Sequence, residues 1–170
     1  MKIYDMQKGF SLIEMIVYVA IFGVFVIGLM SFSAGLISAR LHSQSVFEVN
    51  AQGSRAIKTI TQTLRNASQV NSPAVGALGG LLSVITETPA TSPTTFSASG
   101  GVLYVTEGVG APIELTNNKV IISDLIFSNF SQPGTPNIVQ VSFVLTSATT
   151  NAGAGIPYVV RFDGSGALRK

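Results

Sequence analysis

The sequence predicts an α+β fold in which one long amino-terminal helix is followed by a small antiparallel β-sheet domain. Three observations carry this. No charged residue occurs between Met15 and Ala39. Beyond that run, apolar residues return every three or four positions as far as Ala67, the period of a helix face. From Asn71 onward the composition turns to Gly, Ser, Thr, Pro and β-branched residues in short alternating runs, the pattern of strands and turns.

The expected order is a short charged segment (1–9), a membrane half-helix (10–37), an amphipathic half-helix (38–70) and a β domain (71–170). Met15 to Ile37 is rich in Ile, Val and Phe, and at 1.5 Å per residue it covers roughly 35 Å, enough to cross a hydrocarbon core with some tilt. Lys2 and Lys8 precede it, although Asp5 lies among them and Arg40 follows closely. The bias is modest and places the amino terminus on the cytoplasmic side. A cleaved secretory signal is the rival reading, because Ser31-Phe32-Ser33 offers small residues, but the apolar run exceeds the roughly 7–15 residues of such a signal.

The second half-helix is defined by Val46, Val49, Gly53, Ala56, Ile57, Ile60, Leu64 and Ala67 on one face, with Arg55, Lys58, Gln62 and Arg65 opposite. A single helix from about Phe10 to Ser68 fits both halves. No proline interrupts it before Pro73, and Gly23, Gly28, Gly35 and Gly53 each weaken it by roughly 1 kcal/mol relative to Ala. Close packing between spans and ordinary membrane-helix usage both account for these glycines.

In the β domain, Leu81 to Thr86, Val102 to Thr106, Ile113 to Thr116, Val120 to Phe127, Val139 to Thr146 and Tyr158 to Phe162 read as strands. Asn117-Asn118 is expected to close a tight hairpin, 132–137 a longer connection and Asn151 to Gly155 a flexible one. Val139, Val141, Phe143 and Leu145 alternate with Gln140 and Ser142, so the first set is assigned to the helix side and the second to solvent. Phe96, Phe127, Phe130 and Phe162 are core candidates.

Composition narrows the function classes. The chain has 170 residues, 46% hydrophobic and 11% charged, with a formal net charge of +2 and no cysteine. Disulfides and thiolate metal sites are therefore excluded. His42 is the only histidine, and it lies just past the span, where a solvated ring explains it. Ser and Thr abound without a nucleophile context. No enzyme activity, metal or cofactor is expected. Asp163-Gly164-Ser165-Gly166 reads as a turn between terminal strands, since one Asp is a poor calcium ligand set. Arg55, Lys58 and Arg65 share a face that DNA phosphates could use, but interleaved aromatic residues for single-strand stacking are missing. A solvated face, or pairing with acidic groups of neighbouring subunits, is the simpler account.

Glu14 is the residue in need of an explanation. An ionised carboxylate costs on the order of 2.5–3.5 kcal/mol at the centre of a span and less near its end, so such groups usually have a partner or a function. A place among lipid headgroups is the alternative.

The segment Lys8-Gly9-Phe10-Ser11-Leu12-Ile13-Glu14 resembles the amino-terminal signal of type IV prepilins and type II secretion pseudopilins. The resemblance implies cleavage after Gly9 by a prepilin peptidase, N-methylation of the new terminal Phe10, and pairing of Glu14 with the terminal amine of a neighbouring subunit. It implies a pilin-like fold and a filament subunit whose partners are the peptidase, other pilin or pseudopilin chains and inner-membrane lipid. Removing the leader leaves eight basic and seven acidic side chains, which demands no anionic partner. Ser54 to Ala67 is similar to the second half-helix of J-type minor pseudopilins and related minor pilins. The cysteine pair near the carboxy terminus of many major pilins is missing here. A plain membrane-anchored binding protein with an exported β domain is the competing class, and a DNA-uptake filament subunit, using Arg55, Lys58 and Arg65, is the other alternative.

Overall fold

A computed structural model describes residues 11–132, 137–148 and 157–168. The described chain forms one α-helix, α1 (Leu12–Arg65), a short 3-10 turn (Pro89–Thr91) and nine strands. It separates into two compact units, divided between Arg40 and Leu41.

In the first unit α1 is apolar on every side, and its large side chains are exposed: Ile13, Ile16, Val19, Phe22, Phe25 and Met30 among them. Among the described residues this is the one helix long and apolar enough to cross a membrane. No described residue of this unit buries it, which is the condition of a helix whose solvent is lipid or other helices.

In the second unit α1 is amphipathic. Val49, Ala56, Ile60 and Leu64 are fully buried, whereas Arg55, Lys58, Gln62 and Arg65 face outward. The helix stops at Arg65, three residues before the expected end. The Asn66 amide closes it by donating to the carbonyls of Gln62 and Thr63 at 3.1 and 3.2 Å. Ala67 is buried as expected, but as the first residue of a strand.

That strand, β1 (Ala67–Ser72), heads a five-stranded sheet with β3 (Leu81–Thr86), β4 (Thr94–Ser99), β5 (Val102–Glu107) and β6 (Ile113–Glu114) in the order β1-β3-β4-β5-β6. The second sheet runs β2-β7-β8-β9, from β2 (Leu78–Gly79), β7 (Val120–Asn129), β8 (Ile138–Ser147) and β9 (Val159–Ala167). All pairings are antiparallel. The expected single small sheet is thus two. β7 carries a bulge between Ser123 and Ile126, where Asp124 adopts a φ of 51°; Asp is one of the few residues to tolerate that conformation.

The inner face of β8 is as its alternation predicts, with Val139, Val141, Phe143 and Leu145 fully buried. Phe143 stacks on Phe162 of β9 at 5.6 Å between centroids. Phe96 and Phe127 are also core residues.

Several expectations fail. Phe130 is 58% exposed, because it lies on the outer face beside Ile138, to whose carbonyl its amide donates at 2.9 Å. Ser142 is buried, since Arg161 lies over it and donates from Nε to its Oγ at 3.0 Å. Asn117-Asn118 does not close a hairpin. β6 pairs with β5, and β7 with β2 and β8, so this dipeptide crosses from one sheet to the other. Asp163-Gly164-Ser165-Gly166 is not a turn but the continuation of β9. The 132–137 connection lies largely outside the described residues, and Asn151 to Gly155 wholly so.

The reason for glycine inside β9 is the helix. A Cβ on Gly166 would lie 2.8 Å from Leu64 Cβ, and one on Gly164 would lie 2.9 Å from Ile57 Cγ2. From the opposite direction, the Phe162 ring rests where a Cβ on Gly53 would be, 2.2 Å away. Helix and strand therefore approach along a track that only hydrogen side chains allow.

The sheet edges are unequal. β2 and β6 are two residues long, and β1 has two register shifts against β3. β9 pairs with β8 over nine residues without a shift. Among the described residues its outer edge has no strand partner.

Candidate functional site

Three side chains shape the start of α1. The Glu14 amide donates to the carbonyl of Ser11 at 3.1 Å and, more loosely, to its Oγ at 3.4 Å, so Ser11 caps the helix and Glu14 occupies its third position. Ser-x-x-Glu at a helix start has the spacing of a capping box. The carboxylate therefore sits in the first turn, where the unpaired amides and the helix dipole favour negative charge by a few tenths to 1 kcal/mol. One turn on, the Tyr18 hydroxyl donates to Glu14 Oε1 at 3.3 Å. Glu14 is exposed and flanked by Leu12, Ile13 and Met15, all exposed as well.

Among the described residues, the arrangement is a carboxylate on an otherwise uncharged apolar surface, with Oε1 engaged by Tyr18. Its chemistry is that of an ion-pair acceptor, not of a catalyst. Gly9 and Phe10, the expected cleavage and methylation residues, lie outside the described residues. Tyr18 was missed in the sequence. The available signal was its isolation: it is the only polar side chain between Met15 and Met30, four residues after Glu14.

A second polar cluster ties α1 to the β domain. Gln52 donates from Nε2 to Asn117 Oδ1 at 2.6 Å and to Glu48 Oε1 at 2.6 Å, while the Asn117 amide donates to Gln52 Oε1 at 2.9 Å. Asn117 Nδ2 also donates to Glu48 Oε1 at 3.0 Å. Lys119 Nζ stands 3.8 Å from Glu48 Oε2. Hydrogen bonds from Asn117 and Gln52 hold the Glu48 carboxyl below its ordinary range, aided by the Lys119 charge and opposed by slight burial. Each donor finds an acceptor, and the cluster reads as structural.

The remaining sequence candidates are dispersed. His42 meets Tyr158 edge-on at 6.4 Å between centroids, a packing role. Arg55, Lys58 and Arg65 are exposed on the helix. Asp163 faces Arg161 at 3.7 Å on the outer face of β9. Among the described residues no group of three His, Cys, Asp or Glu is placed to hold a metal ion.

No curated protein and no solved structure matches the chain. Residues 5–30 match the prokaryotic N-terminal methylation motif. That range takes in Gly9, Phe10, Ser11, Glu14, Tyr18 and most of the exposed apolar half of α1. The match and the exposed apolar helix coincide: the chain carries a prepilin-type cleavage and methylation signal, followed by an α+β architecture.

Proposed function

We propose that this protein is a structural subunit, a minor pilin or pseudopilin, of a type IV pilus-like or type II secretion filament. In this reading a prepilin peptidase cleaves after Gly9 and Phe10 becomes the methylated terminus. The apolar half of α1 waits in the inner membrane with its amino terminus on the cytoplasmic side and the β domain exported. Assembly then transfers that half-helix from lipid to a bundle of like helices, and Glu14 accepts the charged amine of a neighbour.

The observation that carries this is the coincidence of the matched motif at residues 5–30 with a helix left apolar and uncovered in its first unit. Each large apolar residue favours lipid by a few tenths of a kcal/mol, whereas Glu14 opposes insertion; a partner amine removes that opposition. The Ser54 to Ala67 segment supports the minor, J-type form of the reading only through its amphipathic pattern. No step of this role is catalytic, and the oxygen- and nitrogen-bearing side chains of the β domain serve packing and surface.

Co-expression with a prepilin peptidase tests the proposal. Mass spectrometry should find a mature chain beginning at N-methylated Phe10. A protein that keeps Met1 through Gly9 in the presence of active peptidase overturns it.

A further inference from the structure

We propose that Tyr18 is the positioning residue for the Glu14 carboxylate, holding Oε1 so that Oε2 is presented to a cationic group of the next subunit. The inference rests on the reading of Glu14 as the assembly charge.

Hydrogen-bond donors are scarce on this half of α1. From Met15 to Met30 the only side chain able to donate a hydrogen bond is Tyr18. It stands four residues after the only carboxylate on the apolar half, the spacing at which helix side chains meet. Its hydroxyl is 3.3 Å from Glu14 Oε1. The backbone is fixed on the other side by Ser11, which accepts the Glu14 amide. A carboxylate on a flexible side chain has two rotatable bonds beyond χ1 to order before it can meet a partner. A phenol already bound to one oxygen removes much of that freedom in advance, the general route by which preorganisation favours association. Among the described residues, Oε2 has no hydrogen-bond or ion-pair partner.

An interfacial aromatic belt is the competing explanation of a tyrosine near a span end. That role depends on ring and depth, not on Glu14. The two are separated by a double-mutant cycle on the full-length chain in a strain that assembles it. Membrane-resident and sheared filament fractions are quantified for the natural chain, Tyr18→Phe, Glu14→Val and the double variant, with the processed mass checked in each.

Tyr18→Phe should leave processing and the membrane level unchanged. It should lower the filament-to-membrane ratio about three- to tenfold, the range of an ordinary hydrogen bond's net contribution, as suits a contact of 3.3 Å. In the Glu14→Val background the same substitution should change nothing. An unchanged or raised ratio for Tyr18→Phe alone, or an equal fall in both backgrounds, overturns the positioning role. Normal incorporation of Glu14→Val is a different result, for it removes the assembly role of Glu14 itself.

Discussion

Replacing Gly166 with alanine tests whether the helix truly rests on the last strand. By conformation alone the change should help, because glycine inside a strand costs roughly 0.5–1 kcal/mol relative to alanine. Contact reverses the sign. The new Cβ would lie 2.8 Å from Leu64 Cβ and 3.0 Å from its Cδ1. Leu64 Cβ is bound directly to the helix backbone, and Leu64 is fully buried, so rotation of its side chain gives little relief. Overpacking of this kind costs about 1–3 kcal/mol. The net expectation is destabilisation by about 1–2 kcal/mol, or about 3–6 °C in Tm for a folded unit of this size. Circular dichroism melting of the full chain in detergent reads it. A second variant sharpens the result. Leu64→Ala alone should cost about 2–5 kcal/mol, but combined with Gly166→Ala the total should fall somewhat short of the sum, because alanine keeps the Leu64 Cβ contact but removes those with Cδ1 at 3.0 Å and Cγ at 3.5 Å. A stabilised Gly166→Ala, or strict additivity with Leu64→Ala, refutes the close helix–strand track. Gly28→Ala is the control: nothing lies within 4 Å of its Cβ position, so no contact opposes the helix preference for alanine, and the melt should not fall.

Gly53→Ala should be worse than Gly166→Ala, since its Cβ would overlap the Phe162 ring at 2.2 Å; a loss of about 2–3 kcal/mol by the same melt is expected. Asn117→Ala removes the Oδ1 that accepts from Gln52 and the Nδ2 that donates to the Glu48 carboxylate, while its backbone amide stays on Gln52 Oε1; it should cost about 1–3 kcal/mol in chemical denaturation, the range for losing hydrogen bonds that include one to a charged group. Because the Glu48 carboxyl is held below its ordinary range, its contribution is present above that range and disappears as pH falls through the depressed folded value. Tm measured from neutral to acidic pH should decline there, and Glu48→Gln should flatten that part of the curve.

How legible the fold was depended on how far each signal reached. The buried face of α1 was readable because Val49, Ala56, Ile60 and Leu64 repeat at helical steps over four turns, and β8 because its apolar residues alternate without a break. β4 was not expected: Thr94-Thr95-Phe96-Ser97-Ala98-Ser99 has one large apolar residue, and its stability comes from pairing with β3 and β5 on both sides. β1 was hidden because Ala67 extends the helical pattern past its end. The second half of β9 reads locally as a turn, and only Ile57 and Leu64, a hundred residues earlier in the chain, explain its glycines. Gln52 and Asn117 illustrate the same limit, since a contact across 65 positions leaves no local trace. At the candidate site the opposite held. Gly9, Phe10 and Glu14 form a compact signal readable by resemblance, while the hydrogen bond between Tyr18 and Glu14 emerges only from the structure.

β9 unites two properties with a practical consequence for anyone producing this protein. It is the strand on which the helix seats, and it is also the one long, regular edge of the two sheets, with Arg161 and Asp163 as its only charged side chains. Natural sheets blunt exposed edges because bare amides and carbonyls recruit other strands. Here α1 covers the adjoining inner face, so trimming the helix to gain solubility removes that cover and leaves an adhesive rim. Truncations that begin within 53–64 should accumulate as aggregates, whereas cuts between the two units, near Arg40, spare the strand's cover.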